Sequence, residues 1–301
     1  MKKGIVYLMG VLFIISCNNS NYHIPQDSAE HGKIFISVDE SFKPVIDEEL
    51  KVYKSSFPDA EIIPLYKPEA DCFRDLQQDS VRMIIVARGL TDDEDKYYEA
   101  KLAFKARWDI LAFDAVSVIV NKNAADSLFT MQKLQDLLSG KDTNMSVVVD
   151  GNNATSTVRY LLDSVLKGRS FGSNVRAAQG SRAVIDYVSN DANAIGFVGS
   201  SWVGNNEDPE QVAYSKNIKL ALIECTICDK GTFAKPSQAT ITSTQYPLVR
   251  PLYYILKENG AGLGDGITGF MKQERGQLIF SRSYLVPAQM YLGRRTGTIS
   301  Q

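Results

Sequence analysis

The sequence predicts an α/β protein built as two lobes, and three observations carry that expectation. Strand-like apolar runs alternate with helix-patterned segments along most of the chain. Residues 33–301 outlast the ~250 residues beyond which a single core tends to split. With 44% apolar and 23% charged residues, the body has the make-up of an ordinary soluble protein.

The chain opens with Lys2 and Lys3, a positive start, followed by the apolar run Ile5 to Ile15 and then Ser16-Cys17. A membrane-spanning helix needs roughly 20 apolar residues, so this shorter run reads as a secretion signal. Its Ile-Ile-Ser-Cys ending resembles a bacterial lipobox, which implies a lipid on Cys17 after cleavage. Residues 18–32 are polar and unpatterned and read as a tether to the membrane.

Lys33 to Val38 is the first strand. Phe42, Ile46, Leu50, Tyr53 and Phe57 follow at helical spacing, with Ser41 as the expected N-cap. Glu61 to Tyr66 is extended, Cys72 to Leu76 helical, and Val81 to Ala87 a buried strand. Thr91 and Glu94 spell a capping box, each side chain satisfying a free backbone N–H of a helix start. Phe104 to Leu111 and Ala115 to Asn121 read as two further strands. Thr130 caps a helix that stops at Ser139-Gly140.

Val147 to Asp150 is a strand and Thr155 to Leu166 a helix. Val175 to Ala178 leads through Gly180-Ser181 into another helix, and Ala194 to Val198 is a strand. Residues 199–245 are looser. Order returns with Val249 to Leu256, a helix over about Asp265 to Gln273, and an extended end near Ser283 to Pro287.

Composition excludes several functions. Lys+Arg 33 against Asp+Glu 35 gives net −2, so no global basic field exists to hold nucleic acid. The only histidines, His23 and His31, fall in the tether, which argues against His-dependent catalysis or His-ligated zinc in the body. Cys225 and Cys228 follow a strand-like run (Ile218 to Glu224) and precede the turn Asp229-Lys230-Gly231. A redox pair sits at a helix N-terminus, so a structural loop disulfide is the better reading. No cofactor is implied.

One arrangement recurs: a strand ends, hydroxyl residues follow, a helix starts. It occurs at Asp39-Glu40-Ser41, at Ala87 to Thr91, at Asp150 to Thr157 and at Gly180-Ser181. Helix starts carry free N–H donors and partial positive charge, so several converging on one cleft suit an oxyanion. The candidate ligand residues are Asp39, Ser41, Arg88, Thr155, Ser156, Thr157, Arg159 and Ser181. Each has a local reading as well: Arg88 as partner of Asp92 or Asp93, Arg159 of Asp163, Asp39 as a helix-start carboxylate.

Several stretches together resemble the PstS-like phosphate-binding proteins of phosphate ABC transporters. They are Ile36 to Pro44, Asp79 to Glu94, Leu111 to Lys122, Asp150 to Leu166, Ala194 to Val203 and Gln245 to Ile255, in the family's order. The resemblance implies a two-lobed type II periplasmic-binding-protein fold. Residues 33–113 plus 247–301 would form one lobe and 114–246 the other, with hinge crossings at Asp114–Asn121 and Tyr246-Pro247-Leu248. It also implies phosphate as ligand, an ABC permease as partner, and no catalysis. Departures from the family pattern stand at Ala87, where a serine is usual, and at Asn152, where an arginine is usual. The rival readings are another oxyanion (molybdate, sulfate or a phosphonate), an extracytoplasmic enzyme on phosphorylated metabolites, and a surface interaction protein without ligand.

Overall fold

The computed structural model describes residues 27–152 and 155–289; the expected signal and Cys17 lie outside them. In chain order the first elements are β1 (Gly32–Asp39), a 3-10 turn (Glu40–Phe42), α1 (Lys43–Ser56), β2 (Ala60–Lys67), α2 (Glu69–Leu76), β3 (Met83–Val86), α3 (Asp92–Leu102) and β4 (Arg107–Asn121). Next come β5 (Leu128–Phe129), α4 (Met131–Ser139), β6 (Ser146–Val149), α5 (Ser156–Tyr160), a wider π turn (Leu161–Val165), β7 (Val175–Ala177), α6 (Ser181–Asn190) and β8 (Ala194–Gly199). A 3-10 turn (Ser200–Trp202), α7 (Pro209–Tyr214), β9 (Ile218–Leu220), β10 (Leu222–Glu224), β11 (Phe233–Ala234) and α8 (Gln238–Thr242) follow. The chain finishes with β12 (Val249–Leu256), α9 (Leu263–Lys272), α10 (Glu274–Arg282) and β13 (Val286–Pro287).

One curled sheet runs through both lobes in the order β2-β1-β3-β12-β4-β8-β6-β7, with β9 and β13 also on β4. The 15-residue β4 joins the lobes. Its first part pairs antiparallel with β12 and β13, its last part with β8 and β9. The apolar cores divide along the same strand. One packs Ile36, Phe42, Ile46, Met83, Ala112, Leu252, Ile267 and Phe280; the other packs Ala115, Val118, Leu137, Val147, Val158, Phe197 and Leu248. Each of the larger side chains among these, removed from water, contributes roughly 1.5–3 kcal/mol. This is the expected two-lobed type II arrangement, and β4 crosses between the lobes as expected; Tyr246-Pro247-Leu248, read as the second hinge strand, is instead a bend that leads into β12.

The caps at Thr91 and Thr130 form as the sequence predicts, with Thr91 and Glu94 in a full capping box. Elsewhere the structure differs. Ser41 lies inside the 3-10 turn, and Asp39 is the residue whose side chain accepts the first free N–H, that of Ser41. The two strands expected around residue 112 are a single strand, because Asp114 does not break it but pairs across the sheet with Arg250. A helix not foreseen, α10, packs after α9. The end of the expected tether is ordered: Asp27 pairs with Arg82 and accepts from the Leu263 N–H, so its charge is satisfied at a helix start.

Candidate functional site

Where β1 ends, the chain turns tightly and buries Asp39 and Ser41 completely. Facing them from the other lobe is the start of α5. Thr155 caps it by accepting from the Val158 N–H, and donates its own proton to Asp150 at 2.6 Å. Ser156 and Thr157 in the first turn are fully buried. The Ser41 Oγ stands 3.4 Å from Ser156 Oγ, from Thr157 Oγ1 and from Asp150 Oδ2, so one hydroxyl of the first lobe meets two hydroxyls and a carboxylate of the second.

Arg250 enters this cluster from β12, and the sequence reading had not placed it there. Its Nε and Nη2 donate to Asp114 Oδ2 at 3.1 and 3.0 Å, and its Nη1 donates to Ser156 Oγ at 2.8 Å and Thr157 Oγ1 at 3.2 Å. The guanidinium lies 4.8 Å from the centre of the Phe42 ring. Residue 199 must be glycine here: a Cβ would stand 2.8 Å from the Ser41 carbonyl oxygen and 3.1 Å from Arg250 Nη2. The available signal was a single charge in each of two otherwise apolar strands, Arg250 in Val249 to Leu256 and Asp114 in Leu111 to Asn121.

Burial opposes the Arg250 charge, yet Asp114, Asp39 and Asp150 more than offset this and hold its pKa above the usual value. Burial drives Asp39 the other way from an ordinary carboxylate, and Glu69 adds to it, so its pKa is pushed up to about 7 although Arg250 and Ser156 oppose the rise. The Asp39 Oδ2 is buried and has no partner. Asp150 is likewise raised by burial, against the hydroxyls of Thr155 and Thr157. The cluster therefore offers three hydroxyls and a guanidinium edge as donors, with one carboxylate oxygen left over as acceptor. Such a set matches an oxyanion that still carries a proton.

The remaining candidates are held by carboxylates of the chain itself. Arg159 reaches Glu69 across the lobes, Nε to Oε2 at 2.5 Å and Nη2 to Oε1 at 3.1 Å, with Asp163 only at 4.0 Å. Ser181 donates from its N–H and hydroxyl to Glu40. Arg88 bonds to none of the cluster. Its guanidinium pairs with Glu94 at 2.7 and 2.9 Å and lies over the Phe73 ring, because the carboxylate of its own capping box is the nearer partner. The nearby Ala87 N–H is taken by Glu69. Cys225 and Cys228 are joined by a disulfide, with Cα atoms 5.4 Å apart, and Cys72 is a buried free thiol.

Comparison with known proteins follows this geometry. The phosphate-binding protein PstS of Staphylococcus epidermidis is 25% identical over 221 residues, 68% of this chain and 64% of its own length. The protein SphX of Synechococcus elongatus is 24% identical over 63% of this chain and 60% of its own length. The chain thus spans less than two thirds of the curated relatives it matches. Among solved structures, a phosphate ABC transporter substrate-binding protein of Clostridium perfringens with bound phosphate superposes with a TM-score of 0.70 at 18% identity, over 85% of this chain and 100% of that one. An ABC-type phosphate transport receptor of Vibrio cholerae gives 0.61 at 18% identity, over the same shares. The family description "PBP superfamily domain" matches residues 24–272. With the two lobes, the crossing strand β4 and the site between them, this places the chain in the PBP superfamily.

Proposed function

We propose that the chain is an extracytoplasmic solute-binding protein whose cleft takes one small tetrahedral oxyanion, with inorganic phosphate as its ligand. One observation carries the reading: Ser41, Ser156, Thr157 and Arg250 converge from both lobes and the hinge beside an unpartnered Asp39 oxygen. The donors would pass from one another to the anion, each charge-assisted bond contributing about 1.5–3 kcal/mol. Once ionised, above about pH 7, Asp39 would accept the proton of a protonated phosphate and repel the bare oxygen of sulfate. Relatives named as phosphate-binding proteins support the same ligand. In this reading the protein delivers its ligand to an ABC-type permease without chemical change and is held at the membrane by lipid on Cys17. Among the described residues, no helix is long and apolar enough to cross a membrane.

Calorimetric titration of phosphate, sulfate and molybdate decides the ligand. Phosphate should bind most tightly, and Asp39→Asn should shrink its margin over sulfate. Equal binding of all three would make the site a general oxyanion receptor. Binding of none would favour a surface interaction protein, a reading supported by the number of site donors already taken by Asp150, Glu40 and Glu69.

A further inference from the structure

We propose that Glu40 and Glu69 are positioning residues that latch the two lobes shut from either side of the site, independently of any ligand. Helix α6 has no cap of its own: Gly180 precedes it at φ +85° and offers no side chain. The cap comes from the opposite lobe, 141 residues away. Both Glu40 oxygens accept from the Ser181 N–H at 3.2 Å, and Oε2 also accepts from the Ser181 hydroxyl at 2.9 Å. A carboxylate there meets the positive end of the helix. A Cβ on residue 180 would stand 3.0 Å from Glu40 Oε1, so the glycine leaves room for the latch.

The backbone beside Glu40 is held as well. The Trp202 indole N–H donates to the Glu40 carbonyl at 3.3 Å, and the Ser201 hydroxyl to that of Ser41 at 3.2 Å. The second latch closes the other flank: Glu69 on α2 takes two guanidinium N–H groups of Arg159 on α5, while also holding the Ala87 N–H of its own lobe. In both latches the first lobe supplies the carboxylate and the second lobe the donors. Each contact is charge-assisted and largely sheltered from water, the class of bond with most strength. The helix start at Ser181 is thereby spent on closure, which leaves Ser41, α5 and Arg250 to face a ligand.

Trp202 makes the idea testable on the full chain. The sequence has two tryptophans, so Trp108→Phe leaves Trp202 as the sole indole reporter. Without ligand, its fluorescence should be shielded from acrylamide, and Glu40→Gln combined with Glu69→Gln should raise quenching several-fold at unchanged circular dichroism. Gly180→Ala, which presses on Glu40 from the other lobe, should move quenching in the same direction. Unchanged quenching in both variants would overturn the latch. The consequence for binding rests on the oxyanion reading: phosphate should associate faster with the double variant, because more of it is open, yet bind about tenfold or more weakly through faster dissociation. Altered quenching with no phosphate binding in any form would keep the latch and remove the ligand.

Discussion

The two faces of the cleft are unlike. The first lobe brings acids: Asp39 and Glu40 at the end of β1 and Glu69 at the start of α2. The second lobe brings donors: Ser156, Thr157 and Arg159 on α5 and Ser181 on α6, with Asp150 as its one carboxylate among them. The donors follow from helix starts, which leave N–H groups free and favour hydroxyl side chains. The acids are the natural complement to such ends. The two faces bond directly to one another. Under the proposed function, an anion would compete with these carboxylates, and its discrimination would rest on hydrogen-bond geometry and on its proton rather than on bulk positive charge.

The largest effect should come from Arg250, the fully buried cation beside Asp114 and Asp39. Arg250→Ala leaves Asp114 buried without its partner, and the loss of one member of a buried pair costs about 3–5 kcal/mol. Urea denaturation should show that loss, and Arg250→Met with Asp114→Leu should recover much of it. A small loss in the single variant would mean that hydroxyls alone hold the acid side. On the donor face, Ser156→Ala with Thr157→Val should weaken phosphate about a hundredfold, or about 2.7 kcal/mol; α5 keeps its Thr155 cap, but stability should also fall, because the buried Arg250 Nη1 loses both hydroxyl acceptors.

Acidity of the first lobe gives the next effect. Asp39 and Glu49 titrate near 3.8 and 4.5 when unfolded, but burial holds their protons to about 7 and about 9 in the folded protein. Both oxygens of Glu49 are buried without partners. A raised folded pKa gives stability that is complete below about pH 4 and lost as pH rises, to 7 for Asp39 and to 9 for Glu49. Glu49→Gln should flatten the decline between pH 7 and 9 in thermal melts, and an unchanged slope would place the loss elsewhere. Least of all, Arg88→Ala should cost under ~1 kcal/mol and leave phosphate affinity within about twofold, since its pair with Glu94 is partly exposed. A large loss of affinity there would return Arg88 to the site.

Helix starts and strand runs were legible because they are local. Thr91, Thr130 and Thr155 cap the helices that their spacing to the apolar residues predicts. The misreadings share a cause: the deciding partner lies far along the chain. Phe104 to Leu111 and Ala115 to Asn121 read as two strands, yet Asp114 pairs with a residue 136 positions away and lies in the middle of one. Ser181 was legible as a donor, but not that Glu40 would occupy it. Arg88 was chosen for its place after a strand, and the competitor was six residues on, in a capping box already recognised.

The register of the hinge has a mechanical consequence. Arg250 and Asp114 are direct cross-strand neighbours in the ladder of β12 and β4, where β4 passes between the lobes. A point on the axle of a pair of jaws moves least however widely the jaws swing. Were the lobes to swing about β4, the guanidinium would keep its place and its countercharge while the hydroxyls of α5 travelled: a stationary electrode between moving walls.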